Sequence, residues 1–300
     1  MDTTEVLVVG GSVAGLQAAL TLGRARRRVV LVDDGRPRNA PARHVQNFLG
    51  APAPSPAELL AAGRAMLAPY DVTVVADRVE DVRSVDGRFE AVTGAGVRWS
   101  ARAVVLATGL DDELPAVPGV ADSWGDRVVA CPHCHGWEVR DTPVAQLGMR
   151  GLPARGVERA LLLRGWSEDV VLCTDGDTPA DGDAARLGAA GVEIRTERVL
   201  RVVPAGDGVD VVLRGGDVLR RRALFTVTRQ HQQTDLAARL GCRTAGDGPA
   251  VEADATGRTT VPGVWAAGTT AVPSLLAVGA AGHGSTVATA LHAVLAAEDR

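Results

Sequence analysis

An apolar run over residues 5–9 ends on Gly10-Gly11, an Ala/Leu-rich stretch continues to about Leu22, and a second apolar run spans Val29 to Val32. Short continuous apolar runs predict strands buried on both faces, and the order strand, tight turn, helix, strand begins a parallel α/β unit. Prolines at positions 37, 41, 52, 54 and 56 interrupt this pattern. Beyond them a helix is predicted over about 57–67, with strands over 72–75, 79–84 and 89–92. A further apolar strand over 103–107 runs into Thr108-Gly109, and the stretch from Pro115 to Pro118 has the chemistry of a linker. From Cys131 onward the pattern repeats more weakly. Strands are expected over 144–147 and 170–173, helices near 157–163 and 184–189, and strands over 199–203, 209–213 and 223–227. The apolar run 264–267, Gly268 and an Ala/Val-rich helix over 282–297 then return to the chemistry of the first segment. The expectation is an α/β protein with a discontinuous first domain, 1–116 plus 248–300, and a second domain, 117–247, inserted in it.

Composition narrows the class. The 300 residues are 46% hydrophobic and 23% charged, with a formal net charge of -4, enough apolar mass for two modest cores and no basic field for a nucleic-acid partner. No stretch reaches the ~20 uninterrupted apolar residues of a membrane span, and the first residues lack the basic head and cleavage site of an export signal. A cytoplasmic location is expected. Only four cysteines occur, which argues against a secreted disulfide framework and for a catalytic pair in a reducing compartment.

Two motifs carry chemistry. Gly10-Gly11-Ser12-Val13-Ala14-Gly15 follows a strand and opens a helix, the context in which a glycine turn lays pyrophosphate oxygens on backbone N–H groups. Ser12 stands at the middle glycine position and is small enough to keep that approach open. Asp33 ends the second strand, where a carboxylate accepts hydrogen bonds from an adenosine ribose, and Asp34 competes for the role. The second motif is Cys131-Pro132-His133-Cys134-His135-Gly136. A Cys-x-x-Cys at a helix start places two sulfurs on one side, and the helix N-terminus and nearby cations favour the thiolate that attacks disulfides. His135 titrates near neutrality and can move the protons. The same spacing also serves c-type haem attachment on exported chains, and a zinc knuckle would need a second ligand pair that Cys173 and Cys242 do not form.

Several further segments bear on the family. Ala107-Thr108-Gly109 and the stretch from Thr260 to Gly268 resemble flavin-contacting segments of flavoproteins with two dinucleotide-binding domains, and Arg43 to Gly50 resembles the Val-Glu-Asn-x-x-Gly stretch of low-molecular-weight thioredoxin reductases. The likeness covers essentially the whole chain. It implies two Rossmann-like domains of the low-molecular-weight thioredoxin reductase type, the second inserted in the first, a homodimer, and FAD held by Gly10, Ser12, Ala14, Gly15, Asp33, Arg38, Gln46, Asn47, Val79, Thr108, Gly109, Gly268, Thr269 and Ala277. By the same resemblance Cys131 exchanges with substrate and Cys134 faces the flavin. Thr269 replaces the family's usual ribityl-contacting Asp, His283 replaces the Asp of Ala-Ala-Gly-Asp-Gly, and Leu275-Leu276 replace a polar Arg-Gln. His135-Gly136 replaces Asp-Gly, and Cys-x-x-Cys-His-Gly resembles the dithiol oxidases that close the disulfides of gliotoxin, holomycin and related natural products.

The inserted domain departs from a nicotinamide site. The turn after strand 144–147 reads Gly148-Met149-Arg150-Gly151, with bulky side chains where pyrophosphate would approach, and Thr174-Asp175-Gly176-Asp177 stands where NADPH-dependent relatives carry His-Arg-Arg. Carboxylates there repel a 2′-phosphate. The resulting expectation is an FAD-dependent oxidase of a small-molecule dithiol, with O2 as acceptor and neither nucleic acid, membrane nor metal as partner. An NADPH- or ferredoxin-dependent reductase and a non-catalytic flavin-binding thiol sensor stand as alternatives.

Overall fold

The computed structural model describes all 300 residues, Met1 to Arg300. They form two compact units: residues 1–40, 48–111 and 230–300 make the first, and residues 41–47 and 112–229 the second. The expected crossing points were 116/117 and 247/248; the chain returns earlier because the short helix Leu236–Arg239 buries Leu236 and Ala237 among Val79, Val82 and Phe89 of the first unit.

The first unit is built on a five-stranded parallel sheet in the order Val264–Ala266, Ala103–Leu106, Val6–Val9, Val29–Asp33, Val72–Ala76. Side chains alternate across a strand, so Val6 and Val8 face one layer while Leu7 and Val9 face the other. On the first face lie the helices Val13–Arg24 and Ala277–Glu298, contributing Ala14, Ala18, Leu22, Val287, Leu291 and Leu295. On the second face Val82, Phe89 and Ala91 come from the antiparallel strands Val79–Val85, Arg88–Thr93 and Arg98–Ala101.

The second unit repeats this plan. Its parallel sheet runs Val128–Val129, Ala223–Thr226, Val144–Leu147, Val170–Cys173, Val192–Arg195. The helices Pro153–Leu163 and Asp181–Ala189 cover one face, burying Val157, Ala160, Leu163 and Leu187, and the antiparallel strands Val199–Ala205, Gly208–Leu213 and Val218–Arg221 cover the other. Arg98–Ala101 and Val218–Arg221 were missed in the sequence because polar, half-exposed residues hide the period-two pattern. The last helix begins at Ala277, five residues before the expected Gly282, since nothing in Ala277-Val278-Gly279-Ala280-Ala281 stops a helix once Ala280 is buried.

Candidate functional site

A cleft in the first unit is lined at the carboxyl end of every strand of its parallel sheet, the edge at which open α/β sheets bind ligands. Val9 to Ala14 follow the first of these strands, Asp33 and Asp34 the second, Asp77 and Arg78 the third, Ala107 to Gly109 the fourth, and Ala267 and Thr269 the last. Close packing shapes the glycine turn. Gly10 has φ +101°, and a Cβ there would stand 2.4 Å from the Ala107 carbonyl oxygen; one on Gly15 would stand 1.8 Å from the Gly10 oxygen. Both positions bring backbone against backbone, which only glycine permits. Gly11 N–H donates to Asp33 Oδ1 at 2.9 Å, and Asp33 Oδ2 stands 3.8 Å from Arg64 Nη1, so the carboxylate also fixes the turn. The helix Val13–Arg24 receives no side-chain cap from Ser12 and has no acid in its first turn, which leaves its leading N–H groups and dipole to an anion. A glycine cradle, an uncapped helix and a strand-end carboxylate fit an adenine dinucleotide such as FAD.

Of the cofactor residues expected from the sequence, this cleft brings together Gly10, Ser12, Ala14, Asp33, Arg38, Val79, Thr108, Gly109 and Thr269. Gly15 and Gly268 pack behind its wall: a Cβ on Gly268 would lie 2.6 Å from Ala14 Cβ. Ala277 opens the last helix, and Gln46 and Asn47 belong to the second unit. Sequence reasoning passed over Arg36, Asp77, Arg78, Gln233 and Thr234, which also line the cleft. Asp77 and Arg78 had a signal, since they directly follow the strand Val72–Ala76. Asp77 accepts from the backbone N–H groups of Arg78 and Ala95, and these bonds help hold it below the ordinary carboxylate range. Gln233 had none; it arrives only through the fold. Asp34 is engaged by Arg36 at 2.7 Å, which leaves Asp33 as the carboxylate on the glycine turn.

In the second unit Cys131 and Cys134 form a disulfide, with Cα atoms 5.2 Å apart. The expected helix is a single turn, Pro132–His135, with Cys131 as N-cap and Pro132 in its first turn. One turn supplies little macrodipole. The cation at hand is Arg159, whose guanidinium donates to the Ala130 carbonyl beside Cys131. Gly136 closes the turn on Pro132, and a Cβ there would meet Trp166 Cδ2 at 2.8 Å, so the glycine after His135 is set by a packed indole. His133 is exposed and meets Trp166 edge-on, ring centroids 5.5 Å apart. His135 is more enclosed. Burial lowers its pKa, partly opposed by the Cys131 backbone, and its Nδ1 is buried without a hydrogen-bond partner. It therefore stands neutral at pH 7, next in the chain to Cys134.

The corresponding turn of the second unit, 148–151, is built differently from Gly10–Gly15. Met149 is buried, Leu152 N–H donates to the Met149 carbonyl at 2.9 Å, and the helix that follows opens on Pro153, which has no N–H. At the next strand end, Asp175 accepts from Val199 N–H at 2.8 Å and stands 3.5 Å from Arg198, while Thr174 Oγ1 donates to the Asp177 carbonyl at 2.5 Å.

The pyridine nucleotide-disulphide oxidoreductase family model matches residues 4–294. The crystal structure of HlmI superposes with a TM-score of 0.93 at 43% identity over 99% of this chain and 94% of that one. A thioredoxin reductase TrxB from Bacillus anthracis, described as putative, gives 0.93 at 26% identity over 99% and 100%. Among curated relatives, thioredoxin reductase tcpT of Claviceps purpurea is 30% identical over 72% of this chain and 70% of its own. A probable thioredoxin reductase of Arthroderma benhamiae is 36% identical over 48% of this chain, a match spanning only 37% of that relative's length. No helix is long and apolar enough to cross a membrane. The chain belongs to the pyridine nucleotide-disulphide oxidoreductase family, as a thioredoxin reductase-like flavin-dependent thiol/disulfide oxidoreductase.

Proposed function

We propose that the protein is an FAD-dependent dithiol oxidase that closes an intramolecular disulfide in a small-molecule dithiol of natural-product type, with the balance R(SH)2 + O2 → R(S–S) + H2O2. The reading extends from the Cys-x-x-Cys-His-Gly motif and from the likeness to HlmI. A substrate thiolate attacks Cys131, the Cys131–Cys134 bond breaks, and Cys134 leaves with the electron pair. The substrate's second thiolate then attacks the substrate sulfur of the mixed disulfide, releases Cys131 and closes the product disulfide. His135 accepts the thiol protons through an imidazole that burial keeps neutral. The backbone of Gly10 to Ala14 would hold the pyrophosphate of FAD, Asp33 the ribose, and Thr108, Gly109 and Thr269 the flavin end, with Arg38, Gln46, Asn47, Val79 and Ala277 proposed from the family pattern. FAD supplies a two-electron acceptor for the enzyme dithiol that dioxygen reoxidises.

The observation that favours an oxidase over a nicotinamide-dependent reductase is the second unit's turn, in which Met149 is buried and which a helix opening on Pro153 follows. The relatives named thioredoxin reductase favour the other reading. Anaerobic stopped-flow spectroscopy of the flavin-loaded protein separates them. A small dithiol is expected to bleach the flavin while NADPH does not, and aerobic turnover releases one peroxide per disulfide. Bleaching by NADPH makes it a reductase; bound FAD that neither donor reduces makes it a sensor.

A further inference from the structure

His283 lies in the helix Ala277–Glu298, and its Nδ1 accepts a hydrogen bond from Gly268 N–H at 3.0 Å. An imidazole nitrogen that accepts carries its lone pair, so the ring is neutral and its proton is on Nε2. The bond fixes a peptide in the cleft wall. Gly268 has φ +67° and is wedged against Ala14, and the residues on either side of it, Ala267 and Thr269, line the cleft. The same turn is tied to the wall opposite: fully buried Thr270 accepts from Gly109 N–H at 2.8 Å. His283 thus anchors a short turn, Gly268–Thr270, that touches two of the strand ends forming the cleft.

We propose that His283 is a positioning residue whose neutral Nδ1 locks the Gly268–Thr270 turn in the FAD-binding shape, and that protonating this nitrogen opens the lock and releases the cofactor. A protonated Nδ1 would set two donors face to face, and the Gly268 N–H would lose its acceptor. The inference rests on the reading of the cleft as an FAD site. Few titratable groups surround it: the strand Arg229–Gln232, whose Gln232 donates to the Thr270 carbonyl, carries the exposed His231 and Arg229. The helix Val13–Arg24 has Arg24 as its only ionisable residue, which donates to the Tyr70 hydroxyl, and the strand Val264–Ala266 and the turn itself have none. The cleft's own ionisable residues are Asp33, Asp34, Arg36, Arg38, Asp77 and Arg78, so its wall holds no other imidazole. On the same helix His292 is a second acceptor, taking Arg27 Nε at 3.2 Å, and serves as the control. Burial shifts His283 below its ordinary 6.5, partly opposed by the Gly268 backbone, which places the opening on the acid side of neutrality.

The test is FAD affinity of the apoprotein between pH 5 and 8, read by quenching of flavin fluorescence. The dissociation constant is expected to be flat near pH 8 and to rise on the acid side by up to about tenfold per pH unit, the limit for one proton. His283→Asn places an amide oxygen where Nδ1 stands and does not titrate, so its dissociation constant should lose the pH dependence. His283→Gln, with its acceptor one bond further out, should bind weakly throughout. His292→Asn should keep the wild-type profile. A flat wild-type profile, or an acid rise that survives in His283→Asn, overturns the proposal. So does a ¹⁵N shift assigning the proton to Nδ1 in the apoprotein at pH 8. Failure to bind FAD at any pH would instead remove the flavin reading itself.

Discussion

At the scale of single residues, the motif cysteines and Cys173 stand in different chemical states. Cys131 and Cys134 are paired, partly exposed and next to His135, whereas Cys173 sits in the parallel sheet at 0% exposure with its pKa pushed up to about 12 by burial. At pH 8 a thiol of that pKa is thiolate in about one molecule in ten thousand. Brief alkylation of the dithiol-reduced native protein is therefore expected to label the motif cysteines and leave Cys173 unlabelled until denaturant is added, as mass mapping would read. Fast labelling of Cys173 in the native state contradicts the assignment. The motif was legible in the sequence, but the state of His135 was not. The orphaned Nδ1 and the lowered pKa depend on burial, which the motif itself does not show.

At the scale of elements, two of the three glycines in the helix Ala277–Glu298 have opposite meaning. A Cβ on Gly284 would stand 2.2 Å from the Ala14 carbonyl oxygen, while one on exposed Gly282 meets nothing within 4 Å. The first lets two helices touch at the cleft; the second only weakens its helix. Gly284→Ala is expected to cost about 1–3 kcal/mol by overpacking and to weaken FAD binding, because Ala14 lines the cleft. Gly282→Ala should be neutral or stabilise by up to about 1 kcal/mol, the helix-propensity gain of alanine over glycine. Thermal melts of the two variants check both signs, and equal effects would refute the packing account. The sequence offers Gly282-His283-Gly284 as one motif, and only the facing helix tells its residues apart.

At the scale of the whole chain, its two ends are joined in the first unit by a charge network. Arg27 bridges Glu5 at 2.7 Å and Asp299 at 2.5 Å, and Arg102 bridges Asp299 at 2.6 Å and Glu298 at 2.8 Å. Burial alone would raise the Glu5 pKa, but hydrogen bonds from Arg28 N–H and Arg27 bring it below the usual 4.5. A carboxylate with a depressed native pKa contributes stability that is complete above its unfolded value and is lost as pH falls through the native one. The melting temperature should thus decline below about pH 4.5. Glu5→Gln should melt lower at pH 7 and show less of that decline; an unchanged acid limb would assign it elsewhere. By itself the sequence determined the repeated α/β plan, the glycine turn, Asp33 and the paired sulfurs, because buried strands, tight turns and dithiols are encoded by neighbours within a few residues. Only tertiary structure decided that Gln233 reaches the same cleft, that Met149 is buried, and that His283 holds Gly268. Those contacts are made between strand ends and helices far apart in the chain, where side-chain packing rather than local periodicity sets the partner.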